Sequence, residues 1–302
     1  GSLEPDLVAL QEVTPNTHSI LSDGLRDLGY IHTSNSIELA KEVELLKGPR
    51  RYGVLLASRF PLKVADPQLV SVPWQERLLS ATVSTPSGAI EVCTIYVPTG
   101  SGNGPVKVET LEGLYDHLAK EAHHHRILCG DFNTPQRELE SGEVVTFGQR
   151  IRSDGTVRTR SRVHGTDGRR WDEAERNVIR GLEKFDLPDV FRSVHGFGRK
   201  EASWFSFGGK KKRGFRLDHI FASRRLRPSE IYYDHAPRKD NLSDHSPLIA
   251  SFYAAKGTTG GEVNRGFCAD CGPPPLFSRV AMAPGDLLCG SATRFYRLEN
   301  ST

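Results

Sequence analysis

The sequence predicts an α/β protein, and three observations carry that expectation. Short apolar runs recur along the chain and stop at Gly or Pro. Stretches with helical spacing of Leu, Ile and Val lie between them. Polar residues with chemical potential gather just past the ends of the apolar runs, most plainly in Ile127-Leu128-Cys129-Gly130-Asp131-Phe132-Asn133. Residues two apart in an extended chain share a face, so Asp131 and Asn133 place a carboxylate and a carboxamide together at the lip of a sheet. Open α/β sheets bind ligands at such carboxyl ends. A plain turn is the alternative, because Gly, Asp and Asn all favour turns.

The elements follow in order. Leu7 to Leu10 reads as a strand that delivers Gln11-Glu12-Val13. A carboxylate closing an apolar run is costly unless it faces solvent or a cation, which makes Glu12 a site candidate. Asn16 to Leu28 has helical spacing in Ile20, Leu21, Leu25 and Leu28 and suits a cover for a sheet. Tyr52 to Ala57, Leu78 to Val83 and Ala89 to Val97 are strands, the last cut off by Pro98. Tyr96 therefore stands at a strand end, with a buried core tyrosine as the other reading.

Val106 to Ala122 is helical, with Val108, Leu111, Leu114, Tyr115 and Leu118 on one face. His123-His124-His125 reads as a solvated turn, since adjacent side chains do not converge on one point. Trp171 to Phe185 is a further helix, and Ala202 to Phe207 and Phe215 to Ala222 are strands. Asp218, flanked by Leu217, Ile220 and Phe221, needs a partner or an exposed face. Asp244-His245 precedes a final strand, Leu248 to Phe252.

Composition narrows the classes. With 37% apolar and 25% charged residues in 302, the chain has the balance of a soluble globular protein. No apolar run is long enough for a bilayer span, and no basic-then-apolar leader opens the chain, so a cytoplasmic protein with no membrane partner is expected. The net charge of +3 implies no polyanion by itself, but seven Arg face two Asp between positions 149 and 170, and Lys210-Lys211-Lys212-Arg213 forms a second basic cluster. Solvated loops are the ordinary fate of such runs. Five Cys, an odd number, argue against a disulfide framework. Residues 1–255 form one domain on this reading, and 256–302 an irregular tail. The tail's Cys268-x-x-Cys271 has half the spacing of a zinc site, but only Cys289 remains as a further thiol, and reduced thiols are the favoured reading.

Together the strand-end units Leu10-Gln11-Glu12, Tyr96-Val97-Pro98-x-Gly100, Gly130-Asp131-Phe132-Asn133, Arg216-Leu217-Asp218-His219 and Ser243-Asp244-His245 resemble, in this order, the endonuclease/exonuclease/phosphatase superfamily. Trp171-x-x-x-Glu175-Arg176, Asp189-Val190-Phe191-Arg192 and Ser203-Trp204-Phe205-Ser206 look most like exonuclease III and the apurinic/apyrimidinic (AP) endonucleases. The resemblance implies a four-layered α/β sandwich, DNase I-like, of two face-to-face sheets with helices outside.

It also implies a Mg²⁺-dependent hydrolase, with Mn²⁺ as an alternative, acting as a monomer on double-stranded DNA at abasic sites or 3′ ends. In that reading Glu12 holds the metal with Asp244 contributing, and Asp131 orients or deprotonates water. Asn133 and Tyr96 contact phosphate or hold Asp131, His245 contacts the phosphate beside Asp218, and Arg216 and Trp204 touch substrate. Whether Asp131 or His245 is the base stays open. The family's first strand, carrying an Asn, and the helix after it have no counterpart before Leu3, so an exposed apolar edge or a substitute segment is expected. A phosphatase of inositol or lipid phosphates and a non-catalytic nucleic-acid-binding remnant are the competing readings.

Overall fold

A computed structural model describes residues 4–206, 212–253 and 275–284. Two mixed sheets dominate it. The first contains β1 (Leu7–Val13), β2 (His32–Asn35) and β3 (Gly53–Ser58). The second contains β4 (Leu62–Val64), β5 (Leu78–Thr85), β6 (Gly88–Tyr96), β7 (His125–Asp131) and β8 (Asp218–Ala222) in the spatial order β8-β7-β6-β5-β4. The chain then returns to the first sheet through β9 (Pro228–Tyr233), β10 (Leu248–Tyr253) and β11 (Pro275–Pro284), giving the order β9-β10-β11-β1-β3-β2.

Alternation along the strands builds the layers. Leu7 and Ala9 of β1 and Val54 and Leu56 of β3 face Val92, Ile127, Cys129 and Ile220 of the other sheet in one buried cluster. The intervening Leu10, Leu55 and Ala57 turn outward and pack with Leu21 and Leu25 of α1 (His18–Asp27). Beyond the second sheet, Cys93, Ile95 and Leu128 meet Val108, Leu111 and Leu114 of α2 (Gly104–Leu118) and Ala174 and Val178 of α3 (Gly168–Ile179). The four layers are therefore α1, first sheet, second sheet, and α2 with α3.

Beside shifts of a few residues, such as the helix expected over Val106 to Ala122, which spans Gly104–Leu118, and His125, which opens β7 rather than lying in a turn, three differences from the sequence expectation stand out. The helix read as Trp171 to Phe185 starts at Gly168, capped by Asp167, and tightens into a 3₁₀ segment at Gly181–Phe185. The strand read as Phe215 to Ala222 is two pieces. Gly214–Phe215 pairs with Trp204–Phe205, and β8 pairs with β7. The third is the largest. Within the tail expected to be irregular, β11 runs parallel to β1 and antiparallel to β10, at the centre of the first sheet. The apolar edge expected beside β1 is thus covered by a segment distant in sequence, because main-chain donors and acceptors on both neighbours need a strand between them. Cys268, Cys271 and Cys289 lie outside the described residues, as do Lys210 and Lys211. Cys93 and Cys129 are buried free thiols pushed up to about 12 by burial, which keeps them unreactive. Among the described residues no helix is long and apolar enough to cross a membrane.

Candidate functional site

Asp131 closes β7, and the residue before it explains how. Gly130 has φ +143°, and a Cβ there would lie 1.9 Å from the Ile95 carbonyl oxygen of the neighbouring strand, so only glycine lets β6 and β7 approach while Asp131 ends the ladder. The pairing of β7 with β8 sets Asp218 directly opposite Asp131, and the parallel pairing with β6 sets Tyr96 opposite it on the other side. Register alone therefore brings three of the expected residues to one sheet end.

His245 enters from the loop before β10 and its Nδ1 lies 2.7 Å from Asp218 Oδ2. Potential ligand atoms of Asp131, Asp218 and His245 all fall within 4.8 Å of one another, and all three residues are buried. Asn133, in the left-handed region at φ +50°, folds back on Asp131. Its backbone N–H donates to Oδ1 at 2.8 Å, and its Nδ2 donates to Oδ2 at 3.0 Å and to the Val97 carbonyl at 2.9 Å. A non-glycine residue in that region marks stored strain held by its surroundings. Glu12 is the second such case, at φ +61°, where the pairing of β1 with β3 shifts register between Gln11 and Val13. This bulge turns the Glu12 side chain out of the ladder. It hydrogen-bonds the Tyr96 phenol, and its charge is felt at Asp131.

The charges interact strongly because water is excluded. Burial, then the Asp218 carboxylate, pushes the Asp131 carboxyl up to about 8. Burial alone would lower the His245 imidazole, but Asp218 outweighs it and the group is pushed up to about 10. His245 is therefore an imidazolium at neutral pH. Burial and the Glu12 carboxylate raise the Tyr96 phenol, keeping it a proton donor.

Two expected residues are held by other partners. Asp244 is exposed, outside the Asp131–Asp218–His245 group, and its Oδ2 accepts from Trp204 Nε1 at 3.0 Å. It holds the aromatic ring of Trp204, whose centroid lies 6.4 Å from that of His245. Arg216, expected to touch substrate, is buried, its guanidinium 2.6 Å from Glu138 and 2.7 Å from Asp189. Two carboxylates neutralise it below the surface, so it braces the loop. His219 is likewise internal, bridging Asp189 and the Thr134 carbonyl.

Sequence reasoning missed two residues. The Arg77 guanidinium is buried 4.2 Å from the Tyr96 ring centroid. The Lys107 ammonium, fully buried under the Asn133 loop, donates to the Asn133 carbonyl at 2.7 Å and pairs with Glu175 at 2.7 Å. A lysine between Val106 and Val108 in an apolar helix was the available signal for Lys107. Nothing local identifies its partner.

The donor set suits a hard divalent cation. Asp131 and Asp218 offer carboxylate oxygens at the end of the second sheet and Glu12 another from β1 of the first, and a cation there would oppose the Asp218 repulsion that adds to burial in raising Asp131.

Residues 1–245 match the family described as the Endonuclease/Exonuclease/phosphatase family. No curated protein matches the sequence. Among solved structures, similarity is found to a 3′-5′ exonuclease (NExo) from Neisseria meningitidis, at 22% identity and TM-score 0.53, covering 82% of this chain and 89% of that one. An endonuclease/exonuclease/phosphatase from Beutenbergia cavernae aligns at 18% identity and TM-score 0.47, over 84% of this chain and 74% of its own. A humanized D. rerio TDP2 aligns at 15% identity and TM-score 0.46, over 85% and 80%. The first of these supports the two-sheet fold.

Proposed function

Because the chain belongs to the endonuclease/exonuclease/phosphatase family, hydrolases of phosphate ester bonds that generally use divalent metals, we propose that it hydrolyses phosphodiester bonds in DNA with the help of Mg²⁺, incising at abasic sites or trimming 3′ ends. The observation that carries this reading is the convergence of Asp131, Asp218 and His245 within 4.8 Å at one sheet end, with Asn133 clamping Asp131.

A phosphodiester is anionic and repels hydroxide, so its hydrolysis needs positive charge on the phosphoryl oxygens, a deprotonated water and help for the leaving oxygen. Glu12, turned out of its strand by the bulge, would hold the cation with bound waters, and the cation would supply charge neutralisation. Asp131 takes the proton of the attacking water, and the cation, by opposing the burial and the Asp218 charge that raise its carboxyl, would keep it ionised for that role. Asp218 keeps His245 charged and oriented, so the imidazolium Nε2 donates to a phosphoryl oxygen. The Tyr96 phenol donates to the same group. Asn133 fixes the Asp131 carboxylate, and Trp204, held by Asp244, offers a stacking face for the sugar or base.

Nucleic acid rather than a small phosphate ester is favoured by the exposed arginines of the 149–170 ribbons. The test is a labelled duplex carrying one abasic analogue, beside an unmodified duplex with a labelled 3′ end, each incubated with Mg²⁺ and with EDTA. Metal-dependent cleavage of either is expected. Failure to cleave both, with turnover of soluble phosphomonoesters that DNA does not inhibit, would transfer the chain to the phosphatase branch.

A further inference from the structure

Next to the site lies a cavity of about 340 Å³, within the range of small-ligand sites, roughly 300–1,000 Å³. One wall is the chain from Pro135 to Glu138, which continues directly from Asn133. A second is the segment after α4 (Val190–His195), around Arg199, and the third is the strand Gly214–Phe215 with Arg213 before it. The lining contains six basic residues and three carboxylates. Each carboxylate is already engaged. Glu138 takes both Arg192 and Arg216 in paired hydrogen bonds of 2.6 to 3.1 Å. Glu140 pairs with Lys200 at 3.2 Å, and Glu201 with His235 at 3.1 Å.

The subtraction leaves Arg137, Arg199 and Arg213, all exposed and with no ion pair recorded among the described residues. A single charge run is usually a solvated face. Here three arginines line one concavity from three separate segments, while Glu138 and Glu140 are already paired with cations and only Glu201, beside His235, is left to oppose them. Guanidinium geometry matches phosphate oxygens. The cavity's walls also neighbour the site. Phe215 in its wall packs 5.8 Å from Trp204, and Trp204 lies 6.4 Å from His245. Asn133 and Pro135 are two residues apart.

We propose that this cavity binds the phosphate backbone of a nucleic-acid strand at a position neighbouring the cleaved bond, with Arg137, Arg199 and Arg213 as the phosphate contacts. The proposal rests on the nuclease reading for its polymer. Its chemistry, phosphate on three arginines, is shared with a free mononucleotide, and the experiment separates the two.

Binding of a fluorescein-labelled oligonucleotide is followed by anisotropy without divalent metal across a salt series. It is measured for the wild type, for Arg137→Gln/Arg199→Gln/Arg213→Gln, and for a control, Arg224→Gln/Arg225→Gln/Arg227→Gln, at the opposite end of β8 from Asp218. Three lost contacts should flatten the slope of log affinity against log salt by about 2 to 3 and weaken low-salt binding by tenfold or more. The control should change neither. An unchanged slope and affinity in the cavity variant, or equal losses in the control, would overturn the proposal. An oligonucleotide slope that stays constant while adenosine monophosphate binding disappears would reassign the cavity to free nucleotides. A wild type that hydrolyses neither duplex substrate yet loses slope in the cavity variant would refute the catalytic reading and leave the cavity assignment standing.

Discussion

Lys107 and Asn133 are joined by a hydrogen bond of 2.7 Å from a buried ammonium to the main-chain oxygen of a strained loop residue, and Glu175 neutralises that ammonium from α3 at the same distance. Glu175 also accepts from Trp171 Nε1 at 2.7 Å and from the Phe147 N–H at 2.8 Å. The helix layer thereby fixes the peptide whose side chain clamps Asp131. Lys107 is a positioning residue in this account.

Replacing Lys107 alone strands a buried carboxylate, at a cost of about 3 to 5 kcal/mol. The informative protein is Lys107→Met/Glu175→Gln, which leaves no buried charge, although its single amide oxygen can accept from only one of Trp171 Nε1 and the Phe147 N–H, which bond different oxygens of Glu175. It should fold, with kcat lower by on the order of 10- to 100-fold and KM little changed, as expected for a small displacement of a catalytic group. A folded double variant with wild-type kcat would remove Lys107 from the account.

Glu12 and Asp131 lead to a metal prediction with two readouts. Mg²⁺ or Mn²⁺ at a hundredfold excess over Kd should stabilise the wild type by about 2.7 kcal/mol, a rise of several degrees in Tm. EDTA should abolish turnover. Glu12→Gln should lose most of the metal-dependent Tm rise, and Asp131→Ala should lower kcat by roughly 10²- to 10⁴-fold. A Glu12→Gln protein whose Tm still rises as in the wild type would move the cation to other residues.

Glu138 makes stability depend on acid. Burial pushes its carboxyl up, but Arg216 and Arg192 outweigh that and hold it at about 2, against an ordinary 4.5. A carboxyl depressed in the folded state stabilises above its unfolded pKa, and that contribution is lost as pH falls through the folded value. The difference of 4.5 − 2 = 2.5 units corresponds to on the order of 3 kcal/mol, lost between about pH 4.5 and 2. Asp189, also held below its usual range beside Arg216, adds in the same direction. Urea unfolding of Glu138→Gln should give lower stability at pH 7 and a flatter decline through that window. A decline parallel to that of the wild type would show that other carboxylates dominate.

The central placement of β11 is tested by one proline. Val280 pairs with Leu7 of β1 and Ala250 of β10. Proline removes a donor and is excluded from central strands, so Val280→Pro should destabilise the protein by about 3 kcal/mol or more, read from chemical unfolding. Unchanged stability would mean that β11 contributes nothing to the sheet's strength.

What the sequence determined by itself was local and chemical. Alternation and helical spacing marked the strands and the covering helices, and the chemical oddness of Asp218 among apolar neighbours and of Glu12 at a strand end marked residues needing partners. The polar residues near the strand ends were legible because Gly and Pro interrupt the apolar runs, although the strand expected to stop at Gly130 runs through it to Asp131, Gly130 serving instead as the point of close approach to Ile95. Tertiary structure decided what those residues meet. Sheet register set Asp131 opposite Asp218 and Tyr96, and a loop from the other sheet brought His245 to Asp218. The same non-local packing buried Arg216 between two carboxylates, drew Lys107 beneath Asn133, and put β11 between β1 and β10. Charge and polarity are properties of a residue, but burial and pairing belong to the surfaces that close around it. Those surfaces are assembled from segments tens to hundreds of residues apart.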